Sequence, residues 1–223
     1  MWYLFYIRLD FWWGECVKNI LCYGDSNTWG CKPGILSRFP KEIRWTGVIG
    51  NLLGENYNVI EDGINGRSTV WDDPQNQCRN GLSGLGYSLY RAKPLDLVIL
   101  MLGTNDLNYT DAEGYYYGIR ILAQRILQAD TAFPGTSDVF PEKPRLLLIS
   151  PIETTENMPI HEESKKFPYY TQKVAEELGI PWLDAAEFGK PSMLDGCHME
   201  EKYHLALGKA IYEKVKEILE EEK

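Results

Sequence analysis

Short apolar runs alternate along the chain with stretches whose apolar residues return every three to four positions. Period-free apolar runs of four to seven residues predict buried strands, and the 3.6-residue period predicts helices with one face inward. Strands are expected at 19–23 (NILCY), 57–61, 96–102 (DLVILML), 145–150 and 181–184. The run at 96–102 is almost wholly apolar, as a central parallel strand covered on both faces should be.

Between these runs, Trp45, Val48, Ile49, Leu52 and Leu53 form one helical stripe, and a second helix is expected at about 82–91. Tyr115, Ile119, Leu122 and Ile126 form another stripe, as do Phe167, Tyr170, Val174 and Leu178, with Gly179 as the stop. A last helix from about residue 200 turns Leu207, Ile211, Val215 and Ile218 inward, and 131–144 reads as a loop. Strands alternating with helices predict an α/β fold: a five-stranded parallel sheet in a three-layer α/β/α sandwich. In such sheets, ligands bind beyond the carboxyl ends of the strands.

Composition narrows the possibilities. At 223 residues, 44% of them hydrophobic, the chain suits one domain with a core that needs neither disulfides nor metals. The net charge of −9 argues against nucleic acid as a partner. Charge concentrated from Glu213 to Lys223 reads as a solvated helix face. The five cysteines, Cys16, Cys22, Cys31, Cys78 and Cys197, lack metal-type spacing and read as free thiols of a reducing, cytoplasmic setting. No apolar run is long enough to span a membrane.

Residues 1–16 (MWYLFYIRLDFWWGEC) stand apart as an extension before a domain at 17–223. Arg8 and Asp10 interrupt the segment, which does not match a signal peptide. Two readings are open: a start displaced upstream of a GTG-coded Val17, or an aromatic arm that packs on a neighbouring subunit.

Four clusters carry candidate chemistry, three at expected strand ends and one before the last helix. Gly24-Asp25-Ser26-Asn27 follows the first strand, and its serine is either a nucleophile awaiting a base or a helix cap. Asp62-Gly63-Ile64-Asn65-Gly66-Arg67 follows the second, where glycines allow a tight turn and close approach to a ligand, or simply a loop. Gly103-Thr104-Asn105-Asp106 follows the third; Asn105 can donate to an oxyanion, or Asp106 or Asn105 caps a following helix. Asp195-Gly196-Cys197-His198 precedes the last helix, with an acid three residues before a histidine, a spacing that suits base catalysis. A zinc site from Asp195, Cys197, His198 and His204 matches no usual spacing, so neither metal nor cofactor is expected. Together the four clusters supply a nucleophile, a base, an orienting acid and oxyanion donors at one sheet edge, the complement needed for acyl transfer.

With these motifs in order, the chain resembles the SGNH (GDSL) hydrolases. GDSN at 24–27, Gly66, GTND at 103–106 and D-x-x-H at 195–198 match four of the family's blocks. Within the family it is most similar to the bacterial arylesterase/acyltransferase branch, through LCYGDSNTWG, RWTGV, DGINGRST and PLDLVILMLGTND. The resemblance implies a flavodoxin-like fold and a serine esterase acting on small acyl esters. It implies Ser26 as nucleophile, His198 as base and Asp195 as its orienting acid. It implies an oxyanion hole from the N–H groups of Ser26 and Gly66 and the Asn105 side chain. It also implies a small-molecule ester substrate, a homo-oligomer, and acyl transfer to alcohols through a channel that Trp29, Trp45, Trp71 and the aromatic-rich N-terminus would line, unless these aromatics are simply core. The departure is Asn27, where the motif's name has leucine. A carbohydrate acetylesterase and a non-catalytic binding module on the same fold are the competing expectations.

Overall fold

The computed structural model describes residues 17–35, 37–133 and 137–220. The extension at 1–16, with both readings of it, lies outside the described residues. Strands β1 (Lys18–Gly24), β2 (Tyr57–Gly63), β3 (Leu97–Met101), β4 (Leu146–Ser150) and β5 (Trp182–Asp184) form one sheet in the order β2-β1-β3-β4-β5. Every pairing is parallel, with Leu21 opposite both Ile60 and Val98. All five residues of β3 and of β4 are buried, which is why those runs show no polar alternation.

The helices are α1 (Ser26–Trp29), α2 (Trp45–Leu53), α3 (Gly81–Ala92), α4 (Ala112–Leu127), α5 (Ala129–Ala132), α6 (His161–Ser164), α7 (Phe167–Leu178) and α8 (Glu201–Glu220). Successive side chains of a strand point to opposite faces, so each strand feeds two cores. Leu21, Val98, Leu100 and Leu148 meet Leu85 and Leu89 of α3, Ile119, Leu122 and Ile126 of α4, and Phe167 and Val174 of α7. Ile20, Cys22, Ile99 and Ile149 meet Trp45 and Ile49 of α2 and Leu207, Ile211 and Val215 of α8. Each such side chain contributes about 1.5–3 kcal/mol on burial. The result is the expected three-layer sandwich.

Details differ where a helical stripe is wider than its contact. Leu52 is 43% exposed, because α2 meets the sheet and α8 through Trp45, Val48 and Ile49. In α8, Leu219 rather than Ile218 takes the fully inward place, continuing the four-residue step of Leu207, Ile211 and Val215. Trp45 is wholly buried in the core and is therefore not available to line a channel; Trp29 and Trp71 keep partial exposure. Lys214–Glu217 and Lys216–Glu220 pair on the outer face of α8, as the charged tail suggested. Cys22, Cys31, Cys78 and Cys197 are free thiols, and among the described residues no helix is long and apolar enough to cross a membrane.

The order 2-1-3-4-5 reverses direction at β1, with β2 on one side and β3 on the other. Connections leaving β1 and β3 part there, which opens a crevice at their carboxyl ends. Gly24 and Met101 are the register partners at that edge.

Candidate active site

Strand β1 delivers Gly24 to the sheet edge, where a Cβ would lie 2.7 Å from the Met101 carbonyl oxygen and closer still to Thr28. Only glycine fits that crossing. Asp25 then caps α1, accepting from the Asn27 N–H at 2.9 Å, and Ser26 is the first residue of the short helix. The serine therefore sits beside a cap and is not one itself. Its Oγ lies 2.9 Å from His198 Nε2.

His198 comes from the loop before α8. Gly196, at φ +80°, turns that loop, and Asp195 closes on the histidine: Oδ2 lies 2.9 Å from His198 Nδ1, while Oδ1 accepts from the His198 N–H at 3.1 Å. Burial disfavours the Asp195 carboxylate, but hydrogen bonds from the His198 side chain, Gly34 and the His198 amide outweigh it and hold the carboxyl below its usual range. The anion that this needs is thus secured at neutral pH. Ser26, His198 and Asp195 form one continuous hydrogen-bonded chain.

The two other predicted donors stand on neighbouring loops. Gly66 has φ +81°, a conformation that favours glycine, and a Cβ there would displace the Arg79 side chain. Asn105 lies in a 3-10 turn (Thr104–Asn108), and its Nδ2 donates to the Arg67 carbonyl at 3.1 Å. Arg67 is the link between the strand ends. It is 2% exposed and donates to the Gly24 and Asp62 carbonyls at 3.0 and 2.6 Å, pairs with Asp62 Oδ1 at 2.8 Å and lies over the Tyr23 ring. A buried guanidinium is tolerable only with such partners.

Asp106, wholly buried, accepts from the Thr69 N–H at 2.7 Å and from the Thr69 hydroxyl. It does not cap a helix; Asp111 does that for α4. Burial pushes the Asp106 carboxyl up to about 7, and burial likewise raises Asp25 to about 6. Loop 62–69 is thereby tied to β1 through Arg67 and to the Asn105 turn through Arg67 and Asp106.

Among the described residues, donor atoms of Asp195, Cys197 and His198 lie within 4.8 Å of one another. The set fits a metal poorly: burial, then the Asp195 charge, pushes the Cys197 thiol up to about 12, and His198 Nδ1 is engaged by Asp195. His204, the fourth member of the zinc reading, is buried elsewhere, with its Nδ1 facing the Trp45 N–H at 3.4 Å.

Sequence reasoning marked Asn27 only as a departure from the motif and Arg67 only as part of a glycine-containing loop, and it missed Gly34 altogether. Arg67 adjoins Gly66 and Asn27 adjoins Ser26, but adjacency carries no sign of partners elsewhere in the chain. Gly34 donates its N–H to Asp195 Oδ2 at 2.7 Å from a loop with no motif at all.

Comparison with known proteins gives the family and the fold. Residues 22–205 match the model of the GDSL-like lipase/acylhydrolase family. The native aryl esterase of M. smegmatis is similar at 32% identity and TM-score 0.83, covering 91% of this chain and 100% of that one. A carbohydrate acetylesterase from Sinorhizobium meliloti is similar at 31% identity and TM-score 0.81, covering 89% of this chain and 98% of that one. A comparison with curated proteins finds no match. With the motifs in order, the sheet order that opens the crevice and a family match over most of its length, the chain belongs to the GDSL-like lipase/acylhydrolase family.

Proposed function

We propose that the protein is a serine esterase that hydrolyses small acyl esters through an acyl-enzyme on Ser26. The observation that carries this reading is the unbroken hydrogen-bonded chain from Ser26 Oγ through His198 to Asp195, each link 2.9 Å long. A serine hydroxyl is a weak nucleophile unless a base takes its proton as it attacks. Here His198 Nε2 is within reach of that proton, and Asp195 holds Nδ1 protonated, so Nε2 is the free acceptor.

Ser26 Oγ attacks the ester carbonyl carbon while its proton passes to His198 Nε2. Asp195 stabilises the imidazolium. The carbonyl oxygen becomes an oxyanion among the N–H groups of Ser26 and Gly66 and the Asn105 amide, which the tied loops hold in place before the reaction starts. His198 then gives its proton to the departing alcohol oxygen, leaving acyl-Ser26. Water enters, His198 takes its proton, the hydroxide oxygen bonds to the carbonyl carbon, and the acid leaves as the proton returns to Ser26. An alcohol in place of water gives acyl transfer by the same steps.

Ile35, Met193 and Leu194 are exposed beside Gly34 and Asp195, and this favours an apolar acyl or alcohol portion. The likeness to a carbohydrate acetylesterase supports sugar acetates as the second substrate class. Ser26→Ala should abolish turnover of nitrophenyl acetate, and a fluorophosphonate should label Ser26 and no other residue. Undiminished turnover by Ser26→Ala refutes the proposal. Leu194→Ser should raise KM for nitrophenyl esters more than for acetylated xylan; a higher kcat/KM of the unaltered protein on acetylated xylan than on nitrophenyl acetate identifies a sugar ester as the better substrate.

A further inference from the structure

Asn27 follows the serine directly and is 4% exposed. Its side chain makes two hydrogen bonds across the site. Oδ1 accepts from the Met199 N–H at 3.0 Å, and Nδ2 donates to the Cys197 carbonyl at 3.0 Å. Cys197 and Met199 are the neighbours of His198 on either side. The orientation of the amide follows from its partners, since an N–H requires the oxygen and a carbonyl requires the NH2. We infer that Asn27 is the positioning residue that sets His198 at hydrogen-bonding distance from Ser26.

Other restraints on the histidine loop differ in kind. Asp195 Oδ1 accepts from the Cys197 and His198 amides, and the Ser192 N–H donates to the His198 carbonyl at 2.8 Å; these shape the loop internally. The Thr155 N–H holds the Gly196 carbonyl at 2.9 Å, and the Gly34 N–H holds Asp195; these anchor it to other loops. Asn27 alone among these joins the loop to the residue next to the nucleophile, across some 170 positions of sequence. Its backbone is fixed in turn, because the Asn27 N–H donates to Asp25 Oδ1. The clamp thus runs from the capped turn that carries Ser26 to both peptide groups flanking His198.

The chemistry of the side chain matters here. A carboxamide carries one acceptor and one donor group in the relation a peptide group would offer, so it pairs with both flanks at once. Leucine, which gives the motif its name, offers neither. Aspartate keeps the acceptor for Met199 and loses the donor for Cys197, and it brings a second negative charge beside Asp25. Through its bonds to Cys197 and Met199, Asn27 acts on the distance and angle between Oγ and Nε2. Misplacement of a reacting group by about 1 Å costs on the order of 100-fold in rate.

The inference rests on the assignment of Ser26 and His198 above. Asn27→Leu and Asn27→Asp should be compared with the unaltered protein in steady-state nitrophenyl acetate hydrolysis, with thermal unfolding to verify folding. Asn27→Leu should lower kcat about 10–100-fold with KM nearly unchanged, and slow fluorophosphonate labelling of Ser26 by a similar factor. Asn27→Asp should lower kcat with KM nearly unchanged, because an ionised carboxylate faces the Cys197 carbonyl where the amide donated. A folded Asn27→Leu protein with kcat within about twofold of the original, or with its loss in KM alone, overturns the inference. If the leucine variant does not fold, Asn27→Asp decides: full kcat overturns it. Turnover by Ser26→Ala sinks the esterase mechanism itself. An inactive Ser26→Ala beside a fully active Asn27→Leu sinks only the role of Asn27.

Discussion

The N–H of Gly34 donates to Asp195 Oδ2 at 2.7 Å across 161 residues, and the same oxygen meets His198 Nδ1 at 2.9 Å. The acid that orients the histidine is therefore oriented itself by a backbone amide from the loop after α1. That loop is not free to drift. Cys31 and Arg38 pair across its base, and Arg38 donates to the Trp29 carbonyl and pairs with Glu61 of β2. The support for Asp195 thus reaches back to the first two strands.

Replacement of Asp195 by asparagine tests this support in the simplest way. An amide at the same position has a neutral oxygen and an NH2 group, so it neither stabilises the imidazolium nor holds a unique tautomer. By the behaviour of Ser-His-Asp sites, kcat should fall about 10³–10⁴-fold with a small change in KM. Steady-state kinetics on nitrophenyl acetate check this, and a loss under tenfold would show that Asp195 is dispensable.

Asn105→Ala removes the side-chain donor from the proposed oxyanion hole and also frees the Arg67 carbonyl. Loss of one such donor should lower kcat by about 10²–10³, or ~2.7–4 kcal/mol of transition-state stabilisation. Because the donor acts on the oxyanion rather than on the bound ester, KM should move little. A variant that loses KM and keeps kcat would place Asn105 in substrate binding instead.

Two buried groups away from the reacting atoms should shape stability against pH in opposite directions. Burial raises the Asp106 carboxyl from an ordinary value of 3.8 to about 7, with the Thr69 hydrogen bonds opposing and the Asp25 charge assisting. Folded Asp106 therefore holds more protons than the unfolded chain between those values. Its contribution to stability is present below about pH 4 and is lost as pH rises toward 7. Burial, then the charges of His198 and Arg44, lowers His204 from 6.5 to about 4. Its contribution is present above about pH 6.5 and is lost as pH falls toward 4. In thermal melts from pH 4 to 8, Tm of Asp106→Asn minus that of the original protein should rise with pH. The same difference for His204→Gln should rise as pH falls. Flat difference curves would contradict both assignments.

Much of this molecule is legible in its sequence. The runs LVILM and LLLIS predict buried central strands because cover on both faces favours apolar residues almost throughout; the one polar residue, Ser150, is buried with its hydroxyl donating to Asp184 Oδ1. The stripes in α4 and α7 are the sheet-facing sides of those helices, and Gly179 ends α7 in the left-handed conformation expected of such a stop. Ser26, Gly66 and Asn105 are marked by residue type just beyond strand ends, where an α/β sheet binds its ligands, and His198 by an acid three residues before it in the loop ahead of the last helix. Trp45 shows the limit of the same reading. An aromatic near a motif was expected in a channel, yet α8 covers it and it lies in the core.

What the sequence determined by itself is the local part: the period of each element, the order of strand and helix, and the reactive residue types at the edges. These follow from side-chain size, polarity and backbone freedom at each position, which neighbours in the chain already express. Tertiary structure alone decided which of those residues meet. It placed the Asn27 amide against Cys197 and Met199, the Arg67 guanidinium against Gly24 and Asp62, and the Gly34 N–H against Asp195. Each is a directional hydrogen bond between segments that leave different strands, and its geometry exists only once the sheet has set those strand ends side by side.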